Sequence, residues 1–169
     1  TAAIDQQILE AALADLQAWD AMGFVIPKLS VNVSQGRLRS PELLASLSRM
    51  DLPANRLCFE ILENIFSDHV DEQLESVMRW LDERGVELEL DDFGTGHTSL
   101  LSLLNFRPKR SKIARELAAP MANSRRHATM ARAVVEIAHS LDIEVIAEGI
   151  ETEDDVKART EAGCEVLQG

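Results

Sequence analysis

An α/β fold, a (β/α) barrel, is what this chain predicts, and three observations carry that expectation. Apolar residues alternating with period two are followed, repeatedly, by apolar residues at helical spacing. Six such strand–helix steps come after an opening helix, the order that gives a parallel sheet covered by helices. Each candidate strand ends in a polar residue: Asn32, Glu60, Asp91 with Asp92, Lys112, Glu148 and Gln168. In a βα barrel those ends converge on one face, where the site lies. A doubly wound sheet would place its site at a switch point, usually beside a glycine-rich phosphate loop. No such loop follows the first strand.

The elements follow in order. Ile4 to Asp20 reads as an amphipathic helix, with Ile4, Ile8, Leu9, Ala12, Leu13, Leu16 and Trp19 on one face and Gly23 as its stop. Leu29 to Val33 is a strand. Ser40-Pro41-Glu42 opens a helix to about Met50, serine as cap and proline in the first turn. Leu57 to Leu62 is the next strand, with Glu60 inside it and Glu63 just after. A helix from Val70 to Arg84 turns Val70, Leu74, Val77, Met78 and Leu81 inward, and Gly85 ends it. The strand from Val86 to Leu90 runs into Asp91 and Asp92. A short helix covers Thr98 to Leu104, and Arg107 to Ile113 is weakly strand-like. A long helix spans about Asn123 to Leu141, with Met130, Val134, Ile137, Ala138 and Leu141 inward. Ile143 to Ala147 is a strand. Thr152 with Asp155 resembles a capping box, and Gly163 closes that helix. Cys164 to Leu167 begins the last strand.

Composition narrows the function. The chain has 169 residues, enough for one domain with a sizeable core, and no linker divides it, so residues 1–169 read as a single domain. Hydrophobic residues make up 46%, which marks a globular chain rather than a disordered one. A net charge of −12 argues against broad coating of DNA or other nucleic acid, though not against one nucleotide held through metals. No apolar run is long enough to span a bilayer and no signal peptide is visible, so a cytoplasmic location is expected. Cys58 and Cys164 lie in apolar runs and read as small buried hydrophobes. The four histidines lack paired metal spacing, which disfavours zinc.

A closed barrel needs eight strands and about 250 residues. About six strands are present here, so a partial barrel is expected, lacking its leading strands. Uncovered strand edges predict an isolated chain that is marginal or that associates.

The stretch from Val86 to Ser99 carries most of the chemistry. Val86, Leu88 and Leu90 alternate with Glu87 and Glu89, then two adjacent carboxylates meet a glycine loop. Like charges side by side need a counter-charge or a metal. Asn32, Glu60, Asp91, Asp92 and Glu148 offer oxygen donors only, the ligands that magnesium or manganese prefers. Two metals sharing a carboxylate would clamp a phosphoryl group and activate a water for in-line attack. Lys112 could hold that water or neutralise developing charge.

Val31-Asn32-Val33-Ser34, Phe59-Glu60-Ile61-Leu62-Glu63, Asp91-Asp92-Phe93-Gly94-Thr95-Gly96, Lys112-Ile113, Ala147-Glu148-Gly149-Ile150-Glu151-Thr152 and Gln168-Gly169 resemble, in order, the motifs of the EAL-domain family. Those are bacterial cyclic di-GMP phosphodiesterases with a TIM-like barrel. The resemblance implies that Asn32, Glu60 and Asp91 hold one metal, and that Asp91, Asp92 and Glu148 hold a second. It implies that Lys112 orients the attacking water, that Glu63 braces the loop after Asp92, and that Glu151 and Gln168 line the nucleotide site. The implied reaction is hydrolysis of cyclic di-GMP to linear pGpG with Mg2+ or Mn2+ in a two-metal site. A homodimer, and a GGDEF or sensory domain in the same full-length chain, are the partners such a domain takes.

Three departures stand out. The Glu-Ala-Leu segment that names the family, whose glutamate is a metal ligand, is absent; Leu9-Glu10-Ala11-Ala12-Leu13 is a helix face. The piece alone is therefore expected to be inactive. The family's Lys-Ile-Asp is Lys112-Ile113-Ala114 here, preceded by Lys109-Arg110-Ser111 where apolar residues are usual. The family's tyrosine after the glycine loop is His97. The alternative to an enzyme is a degenerate, non-catalytic receptor for the nucleotide, or a protein-interaction EAL domain. An unrelated metal-dependent barrel of the enolase type leaves the ordered motifs unexplained.

Overall fold

A computed structural model describes residues 2–62, 72–94, 103–104 and 106–169. Six strands form a sheet whose order follows the chain, β1 to β6. They are β1 (Leu29–Asn32), β2 (Leu57–Leu62), β3 (Glu87–Phe93), β4 (Arg110–Ile113), β5 (Glu144–Ala147) and β6 (Val166–Leu167). β1 pairs with β2 in parallel, as do β3 with β4, β4 with β5 and β5 with β6. Parallel neighbours in chain order require a crossover between each pair, which is the repeat a βα barrel is made of. The chain divides into two compact units: residues 1–61 with 70–88, and residues 62–69 with 89–169.

In the first unit, β2 is buried at every residue but Leu62, and Leu57, Cys58 and Phe59 have no exposed surface. A run apolar on both faces is what a parallel strand covered by helices needs. Helix α1 (Ala2–Ala21) buries only Leu9, Leu13 and Leu16, while Ile4, Ile8 and Trp19 are 58%, 49% and 37% exposed. The expected face was too wide. At about 100° per residue, those three lie about 80–140° round the helix from the buried stripe. The helix expected from Ser40 to about Met50 contracts to α3 (Leu43–Leu47), and in the turn ahead of it the Ser40 hydroxyl accepts from the Glu42 N–H at 3.3 Å. An unforeseen turn of helix, α2 (Gln35–Leu38), is capped by Ser34. Helix α4 (Glu72–Glu83) buries Leu74, Val77, Met78 and Leu81, as the spacing predicts, while Val70 lies outside the described residues.

In the second unit, α5 (Arg115–Ala118) and a 3-10 turn (Met121–Asn123) lead to α6 (Arg125–His139). Ser124 caps α6, accepting from the His127 N–H at 3.5 Å. Ala131, Val135 and Ala138 are its buried stripe. Met130, expected inward, is 52% exposed, since it sits about 100° from Ala131 on the helix. Helix α7 (Glu153–Ala162) carries the capping box in full, Thr152 and Asp155 each satisfying the other's backbone N–H. Both cysteines are buried thiols, and burial pushes Cys164 up to about 11. Most of the helix expected at Thr98 to Leu104 lies outside the described residues.

Candidate functional site

In the first unit the strand ends of β1 and β2 bring Asn32 and Glu60 side by side, as register partners on one face. The Val33 N–H donates to the Glu60 carbonyl at 2.9 Å, extending the ladder one residue past β1. Ser34 then ties the loop to α1, its N–H donating to Asp5 at 3.1 Å and its hydroxyl bonding the same carboxylate. Asn32 is exposed, whereas Glu60 is buried, with 9% of its surface exposed. Glu63 lies outside the described residues.

In the second unit the paired acids sit on a bulge. Leu90 pairs with Ser111 and Phe93 with Ile113, so Asp91 and Asp92 together oppose Lys112 alone. Asp92 has a φ of 58°, in the left-handed region, and its N–H donates to the Asp91 carboxylate at 3.1 Å. Phe93, just past the bulge, is 5% exposed, while Asp91 is half-buried and Asp92 exposed. The Ala114 N–H donates to the Phe93 carbonyl at 2.9 Å and fixes the strand end just beyond.

Lys112 meets this end of the sheet from β4. Its Nζ is 3.0 Å from Glu148 Oε1 and 3.7 Å from Glu89 Oε1. Glu148 follows β5, with its side chain 40% exposed. The loop after it is held by Arg159, which is 1% exposed. That guanidinium reaches Asp155 at 2.6 Å and the Gly149 carbonyl at 3.4 Å. The Arg159 guanidinium, first, and the Thr152 hydroxyl bring the Asp155 carboxyl down to about 2. The Gln168 backbone joins the same loop: its N–H donates to Ala147 at 2.9 Å, and its carbonyl accepts from Ile150 at 3.1 Å. Glu151 is exposed, 4.0 Å from the Arg115 guanidinium.

Two residues escaped the sequence reading. Glu89 entered there only as a polar residue alternating with Leu88 and Leu90, yet it is 2% exposed. Its spacing of two from Asp91 places both on one face of β3, and that spacing was the available clue. Arg159 gives no clue of its own in the sequence; its role comes from helix α7 facing the Glu148 loop. The polar Arg110, where an apolar residue is usual, is matched by its register partner Glu144, which accepts from its Nε at 2.6 Å.

Among the described residues no three His, Cys, Asp or Glu side chains gather at metal-ligand spacing. Apart from Lys112, the strand-end groups nevertheless all carry oxygen donors, in chemistry a fit for a hard divalent ion. In the second unit the cation facing Glu148 is the Lys112 ammonium.

The family model for the EAL domain matches residues 1–169. The chain belongs to the EAL-domain family. It is 30% identical to the bifunctional diguanylate cyclase/cyclic di-GMP phosphodiesterase MucR of Pseudomonas aeruginosa, over 98% of this chain and 25% of that protein. Among solved structures it is similar to the PaMucR phosphodiesterase in complex with c-di-GMP, with a TM-score of 0.86 and 29% identity over 98% of this chain and 68% of that one. It is also similar to the manganese and cyclic di-GMP complex of Klebsiella pneumoniae BlrP1, with a TM-score of 0.83 and 25% identity over 99% of this chain and 43% of that one. The fold is that of EAL domains, a TIM-like (β/α) barrel, of which the described residues supply six strands. The chain spans about a fifth of the length of the curated relatives it matches, 21% of the signaling protein YkoW of Bacillus subtilis, for example.

Proposed function

We propose that the EAL domain containing this chain hydrolyses cyclic di-GMP to linear pGpG, with Mg2+ or Mn2+. The observation that carries this reading is the β3 bulge, which sets Asp91 and Asp92 together opposite Lys112, with Glu148 at 3.0 Å from the same ammonium. Three acids and one ammonium at adjacent strand ends suit phosphoryl chemistry, where catalysis is mostly positioning and charge stabilisation. Asn32, Glu60 and Asp91 are the proposed ligands of one divalent ion, and Asp91, Asp92 and Glu148 those of a second. Bound there, such ions supply the charge that clamps a phosphodiester and acidifies a water. Lys112 orients that water and offsets charge as the bond breaks. Glu151 and Gln168 contact the nucleotide, and Glu63 supports the loop after Asp92. The location proposed is the cytoplasm, with a GGDEF or sensory domain in the same protein and association as a homodimer.

The test is an assay of the full-length protein with cyclic di-GMP and either metal, product resolved by chromatography. Formation of pGpG that stops on chelation supports the enzyme. Tight nucleotide binding with no pGpG under either metal would leave the receptor reading instead.

A further inference from the structure

The proposed chemistry makes no use of Glu89, yet the structure spends a buried carboxylate on it. Its side chain is 3% exposed, and a carboxyl group taken so far out of water needs a polar partner beside it. Lys112 Nζ lies 3.7 Å away. The pairing follows from register. Glu89 is level with Arg110, so it sits one step below Lys112 on the same face of the sheet. The lysine therefore has a buried acid beneath it and the half-exposed Glu148 beyond it, at 3.0 Å.

These two acids do not have equivalent tasks. Glu148 is a proposed metal ligand, and a carboxylate turned toward a divalent ion is a weaker partner for an ammonium. A lysine on a flexible four-carbon stem would then be free to move. A second acid, behind it and without another proposed role in turnover, keeps it in place. We propose that Glu89 is a positioning residue, whose buried carboxylate holds the Lys112 ammonium at the strand end while Glu148 serves the metal. The proposal rests on the role given above to Lys112.

The test uses the full-length protein with Glu89→Gln, which removes the charge at almost unchanged volume, and Glu89→Asp, which keeps it on a shorter stem. Supporting-shell changes of this kind cost about 10- to 100-fold in activity. The expected result is a fall in kcat of that size for Glu89→Gln, with KM and metal affinity within about twofold of wild type. Glu89→Asp should retain more activity than Glu89→Gln. A wild-type kcat in Glu89→Gln, or a loss of metal binding in step with kcat, overturns the proposal. Crystal structures of wild type and Glu89→Gln decide it separately from turnover. A displaced Lys112 ammonium supports the positioning role and an unmoved one contradicts it. A wild type that forms no pGpG would defeat the phosphodiesterase reading, and the position of Lys112 would still settle the role of Glu89.

Discussion

Ser111 is 1% exposed, and its hydroxyl has no hydrogen-bond partner among the described residues. A buried polar group left without a partner costs stability, so Ser111→Ala should stabilise the protein by about 1 kcal/mol. Urea denaturation of the two proteins checks this, and a lower midpoint for the alanine variant would count against it. Asp155 gives a prediction in pH. Its folded carboxyl, at about 2, lies below the ordinary 3.8, so its contribution is complete above that ordinary value and is lost as pH falls toward 2. The stability difference between wild type and Asp155→Asn should therefore shrink between about pH 6 and about pH 2. A difference constant over that range would contradict the pairing with Arg159. The places of Asp91, Asp92 and Glu148 at strand ends were legible in the sequence, because the aspartate pair and the glutamate each follow an apolar strand run directly. Glu89 was not, because its burial depends on what the neighbouring strand places beside it.

Helix α7 shows how the ends of an element are specified. Thr152 accepts from the Asp155 N–H at 3.1 Å, and Gly163 closes the helix at a φ of 99°. Thr152→Ala should cost about 1 kcal/mol through the lost cap. Gly163→Ala should cost at least about 1 kcal/mol, since the left-handed backbone disfavours a side chain. Its Cβ would also stand 3.1 Å from Val135 Cγ1. Thermal melts of both variants test these values, and a Gly163→Ala protein as stable as wild type would contradict the second. Caps of this kind are local, which is why the Thr152 and Gly163 boundaries could be read from the sequence. Helix faces were read less well: α1 and α6 each bury a stripe narrower than their apolar residues suggest, leaving Ile4 and Met130 outside. The β3 bulge was hidden for another reason. It exists only in the register of β3 against β4, and no property of residues 86–93 alone reveals it.

For the whole molecule, the strand–helix order carried the topology. Each of the six expected strands is present among the described residues, in a sheet that follows chain order. The polar strand ends were equally legible, because a parallel sheet covered by helices leaves few other places for them. The working of those ends as a two-metal site is the central claim, and one comparison tests it most directly: metal occupancy beside cyclic di-GMP turnover in the full-length protein, for wild type, Asp91→Asn, Glu148→Gln and Lys112→Ala. Asp91→Asn removes a charge where two cations are proposed to sit. Its occupancy and its rate should fall together, the rate by about a thousandfold or more, several kcal/mol of transition-state stabilisation. Glu148→Gln should follow it. Lys112→Ala should bind metal as wild type does and turn over slowly. Wild-type occupancy and turnover in Asp91→Asn would contradict the claim.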